Sequence, residues 1–278
     1  MIKHILIAVD GSENAKGAAQ YGFWMAKTFG AGLTGLHVVD IVALEGPFFH
    51  DLSGSLGFEP FQNFSSEMKK ILEENGQSFL DDFKEEAGKV GLTADIVRLY
   101  GIVSSEICER ARLSDLVVIG KAGINAEFDH GLMGAVAEGV VRKSEKPVFI
   151  APKTFKAPTS PLLCYDARNN SSKAMHSAAE FVKAAGLPLT VVTVADGIEG
   201  DTLLSEAEHY LKPYGVKTEF KRLTGEDSPS LIENFYKDNG HDLVFMGGAS
   251  HGGILKIVLG STTEHMIRAV EGPFFIER

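Results

Sequence analysis

The chain contains two copies of one strand–helix pattern, and this internal repeat constrains its fold more than any other feature. Residues 2–10 (IKHILIAVD) reappear at 160–166 (SPLLCYD), and 33–40 (LTGLHVVD) at 189–196 (LTVVTVAD). Further along, 114–120 (SDLVVIG) returns at 241–247 (HDLVFMG), and 146–151 (KPVFIA) at 272–277 (GPFFIE). The offset is 156 residues for the first two pairs and 126–127 for the last two. The first copy therefore carries about 30 extra residues in its middle. A unit this long is no solenoid repeat. It has the size of a domain, and 278 residues accommodate two.

Within the first copy, short β-branched runs alternate with helical periodicity. Residues 3–9 read as a strand closed by Asp10 and Gly11. Residues 14–29 place Ala15, Ala18, Ala19, Phe23, Met25 and Ala26 near helical period and end at Gly30. A strand at 33–39 precedes a long helix at 65–90, whose apolar stripe is Met68, Ile71, Leu72, Phe79, Leu80 and Phe83 and which Gly91 ends. A strand at 93–100 and a helix at 103–111 follow. The nearly continuous apolar run 116–119 suits a central strand covered on both faces. A helix at 136–142 and a strand at 147–151 complete the copy.

The run 152–161 (PKTFKAPTSP), with three prolines, reads as an extended linker poor in backbone hydrogen bonds. The second copy repeats the order without the insertion. Strands alternating with helices imply a parallel sheet with right-handed crossovers and helices on both faces. The expected fold is α/β: two tandem, doubly wound, five-stranded domains at 1–152 and 161–278, joined by a linker at 153–160. The insertion at 44–64 holds five phenylalanines and shows no clear periodicity. It reads as an irregular loop packing its aromatics on the neighbouring domain, with a lid or an apolar ligand pocket as the sharper alternative.

Composition narrows the partners. The net charge of −10 is spread along the chain without a Lys/Arg-rich run, which argues against nucleic acid or an anionic membrane as main partner. The apolar run 5–9 is too short for a signal-peptide core, and no stretch approaches the roughly 18 apolar residues of a membrane span. A cytoplasmic protein is expected. Cys108 and Cys164, one per copy in apolar contexts, read as buried thiols.

In an open parallel sheet, ligands bind at the carboxyl ends of strands where the winding direction reverses. Two features fall there in each copy. One is an acidic residue closing strand one, Asp10 (VDGS) or Asp166 (YDAR). The other is a glycine-rich loop leaving strand four. It runs Gly120-Lys-Ala-Gly123, ten residues, then Gly134-Ala135-Val136 in the first half. In the second it runs Gly247-Gly-Ala-Ser250, nine residues, then Gly260-Ser261-Thr262. Glycines let the backbone approach a ligand, and the following helix N-terminus adds free amide donors. Together they suit a phosphate chain, with the carboxylate placed for a base or ribose. Lys121 lacks the frame of a P-loop lysine. His130 and His251 read as ordinary loop histidines, and His209, His241 and His265 have no partner at metal-ligand spacing. Ser12 and Ser261 read as helix N-caps.

The pattern G-x2-G-x9-G-[ST] between strand and helix resembles the ATP-binding motif of the universal stress protein family. The opening strand with D-G-S, the strand LHVVD and the closing KPVFI after GVVRKSEK are also similar to that family, across almost the whole chain twice. The resemblance implies an adenine nucleotide alpha hydrolase-like fold. It assigns contact with adenine to Asp10 and the Val38 backbone, and to Asp166 and Val194. It assigns the phosphates to Gly120, Gly123 and Gly134, and to Gly247, Gly260, Ser261 and Thr262. The first half departs from the pattern by one extra loop residue and by Ala135 in place of a hydroxyl. The second carries Ser250 in place of the second glycine, and it is the better phosphate site.

Family members also pair through their last strands. Residues 148–150 and 274–276 can do so within one chain, giving an internal pseudo-dimer that hides two edge strands. A further homodimer of chains is left open, with the insertion as its candidate surface. The function implied is a stress-response regulatory protein that binds ATP or a related adenine nucleotide without efficient catalysis; an accompanying magnesium ion is left open. Two other classes stand beside it. One is a scaffold binding a protein partner or apolar ligand through the insertion; the other is a slow ATPase.

Overall fold

The fold was derived from a computed structural model that describes residues 2–40, 61–123, 133–248, 250–252 and 256–278, without the side chains of 61–66, 250–252 and 256–258. The first half runs β1 (His4–Ala8), α1 (Glu13–Phe29), β2 (Gly32–Asp40), α2 (Phe61–Lys89), β3 (Ala94–Gly101), α3 (Val103–Ala111), β4 (Leu116–Gly120), α4 (Ala135–Lys143) and β5 (Val148–Ala151). The second runs β6 (Pro161–Cys164), α5 (Asn169–Ala185), β7 (Leu189–Val194), α6 (Gly197–Leu211), β8 (Thr218–Leu223), α7 (Ser228–Asp238) and β9 (Leu243–Gly247). It closes with the hairpin β10 (Ser250–Gly252) and β11 (Lys256–Val258), then α8 (Ser261–Ala269) and β12 (Phe274–Glu277). Local chemistry sets the ends. Ser12 caps α1 by accepting from the Ala15 amide at 3.1 Å, and Gly30 ends it at φ 61°, where a side chain is disfavoured.

Five strands from each half join in one ten-stranded sheet of order β3-β2-β1-β4-β5-β12-β9-β6-β7-β8. Every neighbouring pair is parallel except β5 and β12, which run antiparallel with Phe149 opposite Phe275. The last strands thus meet inside the chain, as the family resemblance implied. Each would otherwise present a row of unpaired backbone groups. Both strands are buried along their whole length.

The helices cover both faces of the sheet, and each core runs across the junction. Phe181 of α5 shows how. Its ring lies 5.0 Å from Phe29 and 5.8 Å from Trp24 of α1, and 5.3 Å from Phe245 and 6.1 Å from Phe275 of its own half. Polar contacts follow the same exchange. Lys121 Nζ donates to the Val270 carbonyl at the end of α8 (3.3 Å), and Arg278 Nη1 to the Ser144 carbonyl at the end of α4 (3.2 Å). Each half supplies a cation to the negative end of the other half's last helix. Among the described residues, no helix is long and apolar enough to cross a membrane.

Three expectations need correction. Residues 61–64 were expected within the irregular insertion, yet α2 already begins at Phe61. Phe61, Phe64 and Met68 continue the apolar spacing of the stripe; residues 44–60 lie outside the described set. Cys164 is buried, its thiol pushed up to about 12 by burial and by Asp166, whereas Cys108 is only half-buried against the Val140 carbonyl. The linker, finally, is not poor in partners. The Lys156 amide donates to Tyr21 Oη, and the amides of Thr159 and Ser160 donate to the Asp242 carboxylate at 2.8–3.0 Å.

His241 anchors the same strap. Its ring is buried, with Nδ1 donating to the Ser160 carbonyl at 3.1 Å and Nε2 buried without a partner. Burial lowers its pKa below the ordinary value, because a proton on Nε2 has no acceptor. The folded state therefore binds fewer protons than the unfolded chain. The stabilisation is complete above about pH 6.5 and lost as pH falls from there through the folded value. Urea denaturation at pH 7.5 and 5.5 is expected to show a larger loss for the natural protein than for His241→Gln. Equal losses would remove His241 as the cause.

Candidate nucleotide clefts

Each half has an open cleft at the carboxyl ends of its strands, where the winding order reverses between the parallel strands β1 and β4 or β6 and β9. The first, of about 420 Å³, brings together Asp10, Val38, Gly120, Gly123 and Gly134. The second, of about 600 Å³, brings together Asp166, Val194, Gly247, Gly260, Ser261 and Thr262. Ser250 lies in β10, with its side chain outside the described residues, as is that of His251; His130 lies outside them altogether.

The glycines divide into two kinds. A Cβ added at Gly120 would stand 2.7 Å from Asn14 Cβ, and one at Gly247 would stand 2.7 Å from the Ser171 amide nitrogen. Both lack side chains because the start of α1 or α5 packs onto the strand end. Gly123 and Gly260 face the cleft instead. Among the described residues, the only atom within 4 Å of an added Cβ is Asp10 Oδ2 (3.1 Å) at Gly123 and Thr263 Oγ1 (3.8 Å) at Gly260.

Beyond the loops, α4 and α8 start at Gly134 and Gly260, both with extended backbone and neither with a side-chain cap. Their first-turn amides have no intrahelical acceptors and carry the positive end of the helix dipole. Ser261, expected to be a cap, is the first helical residue instead, and its hydroxyl lines the cleft beside Thr262. Thr263 Oγ1 donates to the Gly247 carbonyl (2.9 Å), tying helix to strand.

The profile of the Universal stress protein family matches residues 1–152 and 162–277. The chain belongs to the universal stress protein family. Universal stress protein Slr1230 of Synechocystis sp. is 28% identical over 98% of both chains. Universal stress protein MJ0531 of Methanocaldococcus jannaschii is 30% identical over 56% of this chain and 85% of its own. In structure, a universal stress protein from Archaeoglobus fulgidus superposes with a TM-score of 0.78 over 99% of this chain and 98% of its own, at 20% identity, and so shares the fold.

In this universal stress protein the two acidic residues are held differently. Asp10 Oδ1 accepts from the Ser12 amide (2.9 Å), while Oδ2 faces Gly123. Asp166 Oδ1 accepts from the Ser171 hydroxyl (2.6 Å) and the Arg168 amide (3.0 Å), and Arg168 Nε stands 3.6 Å from Oδ2. Between them Ala167 sits at φ 57°, a left-handed conformation costing about 1–2 kcal/mol that Gly11 takes freely in the first half. Arg168 and Ser171 line the second cleft, and the sequence reading did not single them out. Arg168 was visible in YDAR, but only the αL turn at Ala167 brings it back over the carboxylate. Lys121 is turned away from the first cleft, toward Val270.

Proposed function

We propose that this universal stress protein binds ATP or a related adenine nucleotide in its second cleft and works in the cytoplasm as a stress-response regulator. Occupancy would alter its shape or its affinity for a partner, without efficient turnover. One observation carries the reading. The uncapped start of α8, with the hydroxyls of Ser261 and Thr262, shares a single cleft with Asp166 and Val194. Amides and hydroxyls there are donors for phosphate oxygens, and Arg168 adds positive charge at the mouth. Asp166 and the Val194 backbone, in the same cleft, would meet the base and ribose. The Asp166 carboxylate already accepts two hydrogen bonds through Oδ1, which suits an anchoring acceptor better than a general base.

The test is calorimetric titration of ATP into nucleotide-stripped protein carrying Ser261→Ala and Thr262→Val. Hydrogen bonds to a charged group contribute about 1.5–3 kcal/mol each, so affinity is expected to fall at least about tenfold at an unchanged melting temperature. Unchanged affinity would remove these hydroxyls from the site.

A further inference from the structure

The first cleft keeps the base end of the second and has lost its phosphate end. Ala135, Val136 and Ala137 open α4 where Ser261, Thr262 and Thr263 open α8, so the first turn of α4 offers no side-chain hydroxyl to a phosphate. Asp10 and Asp40 both line this cleft, and among its described lining residues there is no lysine or arginine. Lys121 is spent on the Val270 carbonyl.

Apolar side chains such as Leu36, Leu72, Val103, Ile107 and Ile119 make up much of the remaining wall. An anion entering would lose hydration beside the Asp10 carboxylate and gain, among the described lining residues, only the Ser12 hydroxyl, with His37 Nδ1 already turned to the Val9 carbonyl. The uncapped α4 amides remain, but a neutral hydroxyl satisfies them as well. Asp10 Oδ2, directed at Gly123, remains an acceptor for a ligand O–H or N–H.

We infer that the first cleft takes an uncharged nucleoside and rejects the corresponding nucleotide, so that the chain holds two sites of different charge preference. The base end of this assignment rests on the nucleotide reading of the second cleft. The rejection of phosphate rests on the first cleft's own residues.

Adenosine and ATP, titrated separately by calorimetry into nucleotide-stripped full-length protein carrying Gly260→Asp, test the inference, because that variant closes the phosphate end of the second cleft. Adenosine is expected to bind this variant at least tenfold more tightly than ATP does. Adding Val136→Trp, which fills the first cleft from a partly exposed position, is expected to remove one adenosine site per chain. Adding Ala135→Ser and Val136→Thr instead restores the hydroxyls and is expected to narrow the gap between adenosine and ATP at least threefold. The inference is overturned if adenosine does not bind, if ATP binds the Gly260→Asp protein as tightly, or if neither added change has its effect. Failure of the nucleotide reading is separate, since it shows as no ATP uptake by the unaltered protein.

Discussion

Phe181→Ala is expected to destabilise the folded chain by about 3–5 kcal/mol, the cost of truncating a fully buried phenylalanine. The ring is 2% exposed and touches aromatic side chains from α1, β9 and β12, so the loss falls on the seam where the halves meet. Close-packed interiors collapse only partly around such a void. Because the sheet and both cores are continuous across β5 and β12, the halves should unfold together. Urea denaturation followed by fluorescence is expected to show one transition moved to lower denaturant with little change in slope. A loss under about 1 kcal/mol, or two transitions in the unaltered protein, would mean that the halves fold independently.

Gly260→Asp has the larger expected effect on binding. At the cap of α8 an added Cβ makes only an ordinary contact, 3.8 Å from Thr263 Oγ1, among the described residues, and aspartate is among the best N-cap residues, so stability should hold or rise by a few tenths of a kcal/mol. The same carboxylate occupies the amide donors that a phosphate needs and adds a negative charge at the site. Loss of two or more charge-assisted hydrogen bonds corresponds to at least about a 100-fold fall in ATP affinity. The comparison variant is Gly123→Asp, which faces the first cleft and should leave ATP binding unchanged. A fall in both variants, or in Gly123→Asp alone, would assign the nucleotide to the wrong half.

The fold was legible because its signals are local or repeated. The helix expected at 103–111 has those ends in the structure, and the pairing of 148–150 with 274–276 is the one the family resemblance implied for the two final strands. The start of α2 was missed because Phe61 and Phe64 sit among aromatics whose spacing becomes helical only when read together with Met68. At the clefts, Ala135 already signalled the loss of a hydroxyl. What stayed hidden depends on distant partners. Gly120 is glycine because of Asn14, 106 positions earlier in the chain, and Lys121 serves Val270, 149 positions later. Residue type identified the glycines as special but could not separate those that make room for a helix from those that make room for a ligand. The Asp166–Ser171–Arg168 arrangement needed the backbone turn at Ala167, which no sequence pattern encodes.

The central claim is that two copies of one cleft have diverged, leaving the second to hold the nucleotide. Calorimetric titration of ATP into the unaltered, nucleotide-stripped chain tests it most directly through stoichiometry. The account predicts one ATP bound per chain, at micromolar affinity. Two equivalent molecules per chain would contradict the divergence, and no uptake would contradict the nucleotide reading itself.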